Sequence, residues 1–234
     1  MAIDVRGKWA FVTGASRGVG RQVAAGLADL GCNVLLHSRD RDHTATLAAA
    51  LAQRGVQVAT VAADLADQDA VDGMMDEALA LSGGLDIVYN NAAVMTPFRA
   101  PASTVTAADY RLSFEVNVIA PIRITHRALP GMRTRGFGRV VQVTSGIKDQ
   151  PELMAYAASK AALDKFVRDM VPSLRGTGVL MNLLDPGWLR TDLGGPNAPN
   201  AVESVLPGAL VPALLDGEVH GVLFCAQDYA GTHP

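Results

Sequence analysis

Tyr156-Ala-Ala-Ser-Lys160 carries a phenol and an ammonium four residues apart. On a helix that spacing stacks the two side chains one turn apart on the same face. The run from Ala157 to Leu163 is rich in good helix formers, so the helical pair is the expected geometry. A phenol ordinarily titrates near about 10 and is a poor acid at neutral pH. A neighbouring ammonium favours the phenolate and draws it toward the working range, as general acid/base catalysis requires. With only four Tyr in the chain, and as few Lys, a chance pair at this spacing is expected about 0.07 times. The pair is suggestive and needs support from elsewhere.

Support comes from Thr13-Gly14-Ala15-Ser16-Arg17-Gly18-Val19-Gly20. The apolar run Trp9–Thr13 reads as a buried strand, and Arg21–Leu30 reads as a helix. A Gly-rich turn between them lets the backbone approach a pyrophosphate, whose charge is favoured at a helix N-terminus. The spacing T-G-x-x-x-G-x-G differs from the more common G-x-G-x-x-G and narrows the field.

In their order along the chain these residues resemble the classical short-chain dehydrogenase/reductase family. The order is the Gly-rich turn, Asp64-Leu65, Asn90-Asn91-Ala92-Ala93, Asn117, Ser145, Tyr156-x-x-x-Lys160, then Pro186-Gly187 with Thr191. The resemblance runs from about residue 6 to Phe224. Two departures stand out. Ala93 replaces a more usual Gly, and the spacing from Ser145 to Tyr156 is shorter than the family's by about two residues. Either Ser145 or its neighbour Thr144 can therefore be the hydroxyl that the family uses.

The resemblance implies an NADP(H)-dependent oxidoreductase that interconverts a carbonyl and an alcohol. It makes Tyr156 the general acid in reduction and the general base in oxidation, with Lys160 lowering its pKa and bonding the nicotinamide ribose. Ser145 would hold the substrate oxygen. The main chain of Asn117 would anchor a water linking Lys160 to solvent. Pro121, four residues on, cannot donate to the Asn117 carbonyl and should kink its helix. Cofactor contacts implied are Gly14, Ser16, Arg17, Gly18, Val19 and Gly20 of the turn, then Ser38, Arg39, Asp64, Leu65, Asn90, Ala92, Tyr156, Lys160, Pro186, Gly187 and Thr191. Asp64 would meet the adenine amino group or cap the following helix, and Asn90 would lie beside the adenine-side ribose. Asn91 would tie neighbouring strands together.

Ser38 stands where NAD-preferring relatives carry an acidic residue, and Arg39 and Arg17 could together clamp a 2′-phosphate. Asp40 comes one residue late and is read as pairing with Arg41. Residues implied on the substrate side are Val94, Met95, Phe98, Leu153, Met154 and Trp188, none of them charged. Arg99 and Arg190 are the nearby cations that could change that picture. The segment Asp192–Pro212, with its Gly194-Gly195-Pro196 start, reads as a short lid in loop form.

The elements that must position these groups are legible as strand–helix alternation. Apolar runs at Trp9–Thr13, Asn33–His37, Val56–Ala62, Ile87–Asn90, Arg139–Thr144, Leu180–Leu184 and Gly221–Phe224 predict strands buried on both faces. Helices are expected near Arg21–Leu30, Thr44–Arg54, Gln68–Leu81, Ala107–Met132 and Ala155–Leu174, the fourth opened by a Thr106-x-x-Asp109 capping box. The fold class expected is α/β: a doubly wound, seven-stranded parallel (Rossmann) sheet with residues 1–234 as a single domain. Ligands of such sheets bind beyond the carboxyl ends of the strands, where every motif above falls.

Composition agrees and excludes other classes. The chain is 49% hydrophobic and 18% charged, with net charge −3, so no basic patch points to nucleic acid or an anionic membrane. Met1–Gly7 lacks the apolar core of a signal peptide, and no apolar stretch reaches membrane-spanning length, so a cytoplasmic protein is expected. Cys32, Cys225 and the five His match no metal spacing, so no metal site is expected and both thiols are read as buried. The partners expected are a modest-sized, largely apolar substrate and further copies of the chain. A homodimer or homotetramer would form through the fourth and fifth helices. The rival class is a catalytically silent nucleotide-sensing module acting through a protein partner, which would ordinarily lack the Tyr–Lys pair or the Ser.

Overall fold

Short apolar strands alternate with amphipathic helices to build a seven-stranded, all-parallel sheet in the order β3-β2-β1-β4-β5-β6-β7. The computed structural model describes residues 2–231; Met1 and residues 232–234 of the expected domain lie outside the described residues. The strands are β1 (Trp9–Val12), β2 (Asn33–Ser38), β3 (Val58–Ala62), β4 (Ile87–Asn90), β5 (Gly138–Val143), β6 (Val179–Asp185) and β7 (Leu223–Cys225). The helices are α1 (Gly18–Asp29), α2 (Asp42–Ala52), α3 (Gln68–Ser82), α4 (Ala107–Phe114), α5 (Ala120–Arg135) and α6 (Met154–Leu174). The Rossmann-type sheet expected from the strand–helix alternation is the sheet observed.

Alternation of side chains across each strand divides the core into two layers. Val12, Leu36, Ile87 and Tyr89 face α1 and α2, together with Val23, Leu27 and Leu51. Phe11, Leu35 and Val88 face the opposite way, where Met75, Ile124, Met132 and Val167 cover them from α3, α5 and α6. Burial on both faces is why the strands read as continuous apolar runs. The strand order reverses at β1, which pairs with β2 on one side and β4 on the other. That switch point opens the crevice into which the Gly-rich turn projects.

Three elements depart from the sequence reading. Helix α1 starts at Gly18 rather than Arg21, because the glycines of the turn form its first residues in spite of their low helix propensity. The long fourth helix divides into α4, a π turn at Glu115–Ile119, and α5. The Ala120 N–H reaches back five residues to the Glu115 carbonyl, so the expected disturbance at Pro121 takes the form of a widened turn that carries Asn117. The last strand begins at Leu223 instead of Gly221, since Gly221 turns the chain with φ +69. Elsewhere the elements agree closely, and the Thr106–Asp109 capping box is formed in full. Cys32 is buried as expected, whereas Cys225 is only half-buried.

Candidate functional site

At the carboxyl end of β1, Gly14 has φ +65 and its Cα lies so close to β4 that a Cβ would meet Ala92 Cα at 3.0 Å. A Cβ on Gly20 would stand 2.4 Å from the Gly14 carbonyl oxygen. The turn is thus drawn tight against both strand and helix, which only glycine allows. Thr13 fixes it from below: its hydroxyl accepts the Asn91 and Ala92 N–H groups at 2.9 and 3.0 Å. Asn91 donates to the Thr13 carbonyl at 2.8 Å, so it ties β1 to β4 as expected. The N-terminus of α1 has no side-chain cap and no acidic residue in its first turn. Its uncapped N–H groups and positive dipole end fit a bound pyrophosphate.

His37 holds the turn from the other side and was not singled out in the sequence. Its Nδ1 accepts from Gly14 N at 3.3 Å, which assigns the proton to Nε2, 3.1 Å from the Ala63 carbonyl. Burial pushes this imidazole down to about 4. Between about pH 6.5 and 4 the unfolded chain takes up a proton that the folded chain refuses, so stability falls as pH drops through that window. The expected loss is about 3 kcal/mol across the window. Chemical denaturation of the wild type and His37→Gln at several pH values measures it: the variant should lose less stability over this range, and parallel profiles would reject the assignment.

The motif side chains converge beyond β5 and β6. Tyr156 and Lys160 are both buried on one face of α6. Lys160 Nζ lies 5.8 Å from the Tyr156 ring centroid and donates to the Val143 carbonyl at 2.8 Å. Burial raises the Tyr156 phenol above its ordinary value, and the nearby Ser145 hydroxyl, which favours the ionised form, only partly opposes it. Burial also lowers the Lys160 ammonium, to about 8, with Asp164 opposing. The expectation that Lys160 draws the phenol down is therefore corrected: desolvation governs both groups, and the ammonium is directed at a backbone carbonyl. The neighbouring hydroxyls have different surroundings. Thr144 donates to Asp164 Oδ1 at 2.5 Å, and Ser145 is the one that meets Tyr156.

Asn117 lies fully buried on the π turn. Its amide clasps the Val94 backbone in both directions at 2.8 Å and donates to Ser159 at 3.0 Å. Ser159 in turn bonds the Tyr156 carbonyl at 2.7 Å, so Asn117 joins the loop after β4 to the helix of the phenol.

The other expected cofactor residues have partners or places of their own in the fold. The Asn90 side chain donates to the Pro121 carbonyl and to Thr125 at 3.2 and 3.1 Å. Gln142 meets the same Thr125 hydroxyl, so these amides lock α5 onto the sheet. Asp64 is exposed and bonds Ala66 N at 2.9 Å, while the cap of α3 is Asp67, which accepts from Asp69 and Ala70. Leu65 and Ala92 lie in or against the core. Ser38 donates to the Asp40 carbonyl at 2.5 Å. Asp40 does not pair with Arg41, which binds Glu77. Arg39 is exposed at the end of β2. Arg17 is exposed as well, and its guanidinium lies 2.7 Å from Asp192. Ser16, Gly18 and Val19 are half-buried along the same turn.

Opposite the turn, Pro186-Gly187 leads to Thr191, whose hydroxyl accepts from Gly194 N at 3.0 Å. The Thr191 methyl would lie 3.6 Å from a Cβ on Gly18. An open depression of about 500 Å³ is lined there by Arg190, Thr191, Asp192, Gly195 and Pro196. The following lid holds only 3₁₀ turns, at Val202–Val205 and Gly208–Ala213, in keeping with its reading as loop. Phe98, Met154 and Trp188 expose 60%, 44% and 59% of their surface. Both suspect arginines are engaged elsewhere: Arg99 grips Asp109 at 3.0 and 3.1 Å, and Arg190 donates to the Ala198 and Pro199 carbonyls. Among the described residues no helix is long and apolar enough to cross a membrane, and no group of three or more potential ligands gathers into a metal site.

The chain is similar to known proteins. A family model described as short chain dehydrogenase matches residues 8–201. A short chain dehydrogenase of Pseudocercospora fijiensis is 33% identical over 196 residues, 83% of this chain and 63% of that protein, so the chain spans less than two thirds of that relative's length. The 1-deoxy-11-beta-hydroxypentalenate dehydrogenase of Streptomyces exfoliatus is 35% identical over 79% of this chain and 68% of its own. Among solved structures, a 3-oxoacyl (acyl-carrier-protein) reductase from Agrobacterium tumefaciens with NADP bound superimposes with a TM-score of 0.85. It is 27% identical and covers 94% of this chain and 93% of its own.

Proposed function

Since the chain belongs to the short-chain dehydrogenase family, we propose that it is an NADP(H)-dependent oxidoreductase that interconverts a carbonyl and an alcohol on a small, largely apolar substrate. The observation that carries this is the buried Tyr156–Lys160 pair on one face of α6, its ammonium 5.8 Å from the ring centroid, with the Ser145 hydroxyl near the phenol. A phenol held this way is a proton donor aimed at one point beyond the end of β5.

A bound nicotinamide supplies or accepts the hydride. Tyr156 gives its proton to the carbonyl oxygen in reduction and takes it back in oxidation. Ser145 donates to the same oxygen and stabilises the charge that develops there. Lys160 keeps a positive charge under the phenolate as it forms and can bond a ribose hydroxyl with its remaining hydrogens. Asn117 keeps the π turn open, so that its main chain can carry a water between Lys160 and solvent. The uncapped start of α1 would hold the pyrophosphate, and Thr191 the carboxamide. For the 2′-phosphate, Arg17 must leave Asp192. An exposed ion pair of that kind contributes about 1 kcal/mol or less and yields readily to a dianion.

The silent sensing module is not favoured, because such a module has no need of a buried phenol with an ammonium under its ring and a hydroxyl nearby. The apolar rim of Phe98, Met154 and Trp188, with Arg99 and Arg190 engaged elsewhere, supports neutral substrates. A matched pair of ketones differing by one carboxylate tests this with NADPH. The neutral ketone should turn over with the higher kcat/KM; a strong preference for the anion, lost on Arg99→Ala or Arg190→Ala, would overturn it. Leu112 and Ile119 are exposed on α4 and the π turn instead of facing the sheet, which supports self-association through these helices. Light scattering at micromolar concentration measures that directly.

A further inference from the structure

The loop between β4 and α4 is fastened at two points to the segment that carries Tyr156. At its inner end Asn117 clasps the Val94 backbone and reaches Ser159, which bonds the Tyr156 carbonyl. At its outer end the Arg99 N–H donates to the Glu152 carbonyl at 3.2 Å, in the 3₁₀ turn Pro151–Leu153 that leads into α6. The Arg99 guanidinium grips Asp109 of α4 with both Nε and Nη2, at 3.0 and 3.1 Å. Between the two fastened points stand only Met95, Thr96, Pro97 and Phe98. We infer that the Arg99–Asp109 pair is a specificity-determining clasp, which holds the Phe98 ring at the same junction as Met154 as an apolar platform for the larger substituent of the substrate. This deepens, and rests on, the reading of a small, largely apolar carbonyl substrate at Tyr156.

Asp109 is placed to keep that grip. It is buried in spite of its charge, at the third position of α4, where the Thr106 N–H and hydroxyl donate to its Oδ2 at 2.8 and 2.7 Å. The start of the helix thus fixes the carboxylate, which meets the planar guanidinium with both oxygens. Without Arg99 the buried charge would keep only the Thr106 bonds, so this pair does not yield as an exposed one does. The side chains it governs are the exposed ones. Phe98 is one residue from the bonded Arg99 N–H, and Met154 is two from the bonded Glu152 carbonyl, so both flank one junction. Beyond it the 3₁₀ turns Ala102–Thr104 and Pro151–Leu153 pack together. A ring that exposes 60% of its surface is placed mainly by its backbone. Val94 and Arg99 are five peptide steps apart, a reach of at most about 17 Å, and with both held Phe98 has little room to move.

Opening the clasp should leave the chemistry in place. Arg99 and Asp109 bond Glu152 and Thr106, whereas the proton donor stands further along α6 and its hydroxyl neighbour at the end of β5. What changes is the contact between Phe98 and a large apolar group of the substrate. That contact is the same before and during hydride transfer, so its loss raises KM and spares kcat. A ketone too small to reach the ring is indifferent to the clasp.

Butanone and benzylacetone, which adds one phenyl ring, make the comparison with NADPH. In Arg99→Ala the ratio of kcat/KM for benzylacetone to that for butanone should fall about tenfold, through KM, as expected for losing partial burial of one ring. Phe98→Ala should lower the ratio by a similar factor. Adding Arg99→Ala to Phe98→Ala should then change it by less than about twofold, because the clasp acts through that ring. A merely structural role would lower both ketones alike, and an effect elsewhere would persist undiminished in the Phe98→Ala background; either result overturns the proposal. If Arg99→Ala does not fold, Asp109→Asn keeps an acceptor for the Thr106 N–H, removes the charge and is read in the same way. Chymotrypsin cleavage after Phe98 gives a readout that needs no substrate. It should be about tenfold faster in Asp109→Asn than in the wild type, with cleavage at other sites unchanged. Equal rates after Phe98 overturn the clasp. Failure of the wild type to turn over either ketone would instead overturn the functional reading, and the cleavage rates would still decide the question for Arg99 and Asp109.

Discussion

Tyr156→Phe is expected to lower turnover by about three orders of magnitude, within the range of a lost general acid, while cofactor affinity stays within about twofold. The phenol and the phenylalanine ring occupy the same buried volume on α6, so the fold should tolerate the change. What disappears is the proton donated as charge develops on the substrate oxygen, and that interaction belongs to the transition state. kcat and kcat/KM should therefore fall together. Steady-state kinetics with one neutral ketone, together with a direct measurement of NADPH binding, decides the matter. A variant retaining a tenth of wild-type turnover would show that the proton comes from elsewhere.

The paired replacement Arg17→Ala/Arg39→Ala should raise the KM for NADPH by about 100-fold and leave NADH nearly unchanged. Two charge-assisted contacts to a phosphate are each worth about 1.5–3 kcal/mol, and release of Arg17 from Asp192 offsets part of the first. Roughly 3 kcal/mol then remains, or about two factors of ten. Ser38 cannot compensate: its hydroxyl is turned to the Asp40 carbonyl, and no carboxylate stands at that position to hold an unphosphorylated ribose. The preference should also weaken with added salt, because both guanidiniums are exposed. Equal efficiency with the two cofactors in the wild type, unchanged in the double variant, would reject the assignment.

Local signals determined a good deal of this protein. Apolar strands buried on both faces write their positions as uninterrupted Val, Leu and Ile runs, and the seven-stranded sheet follows from their alternation with helices. The i, i+4 spacing of Tyr156 and Lys160 fixes their common face, because helix geometry depends on nothing distant. The glycines of the first turn are legible for a similar reason, since a positive φ at Gly14 and the missing Cβ at Gly20 are requirements of the backbone itself.

Tertiary structure decided whatever depends on which partner a side chain finds. Ser145 and Thr144 are adjacent hydroxyls in the sequence; only the packing of α6 against β5 gives one to Tyr156 and the other to Asp164. Asn90 looked available to a ligand, yet α5 crosses its strand and takes the amide into the core. The sequence assigns the tuning of the phenol to Lys160, but burial is the largest influence on both groups, and burial is a property of the assembled layers. His37 gave no signal beyond a lone His near a strand end. It gains its place from a backbone brought close by another strand, at Gly14. Spacing along one element is written locally; desolvation and contacts across the sheet come into being only when the layers close.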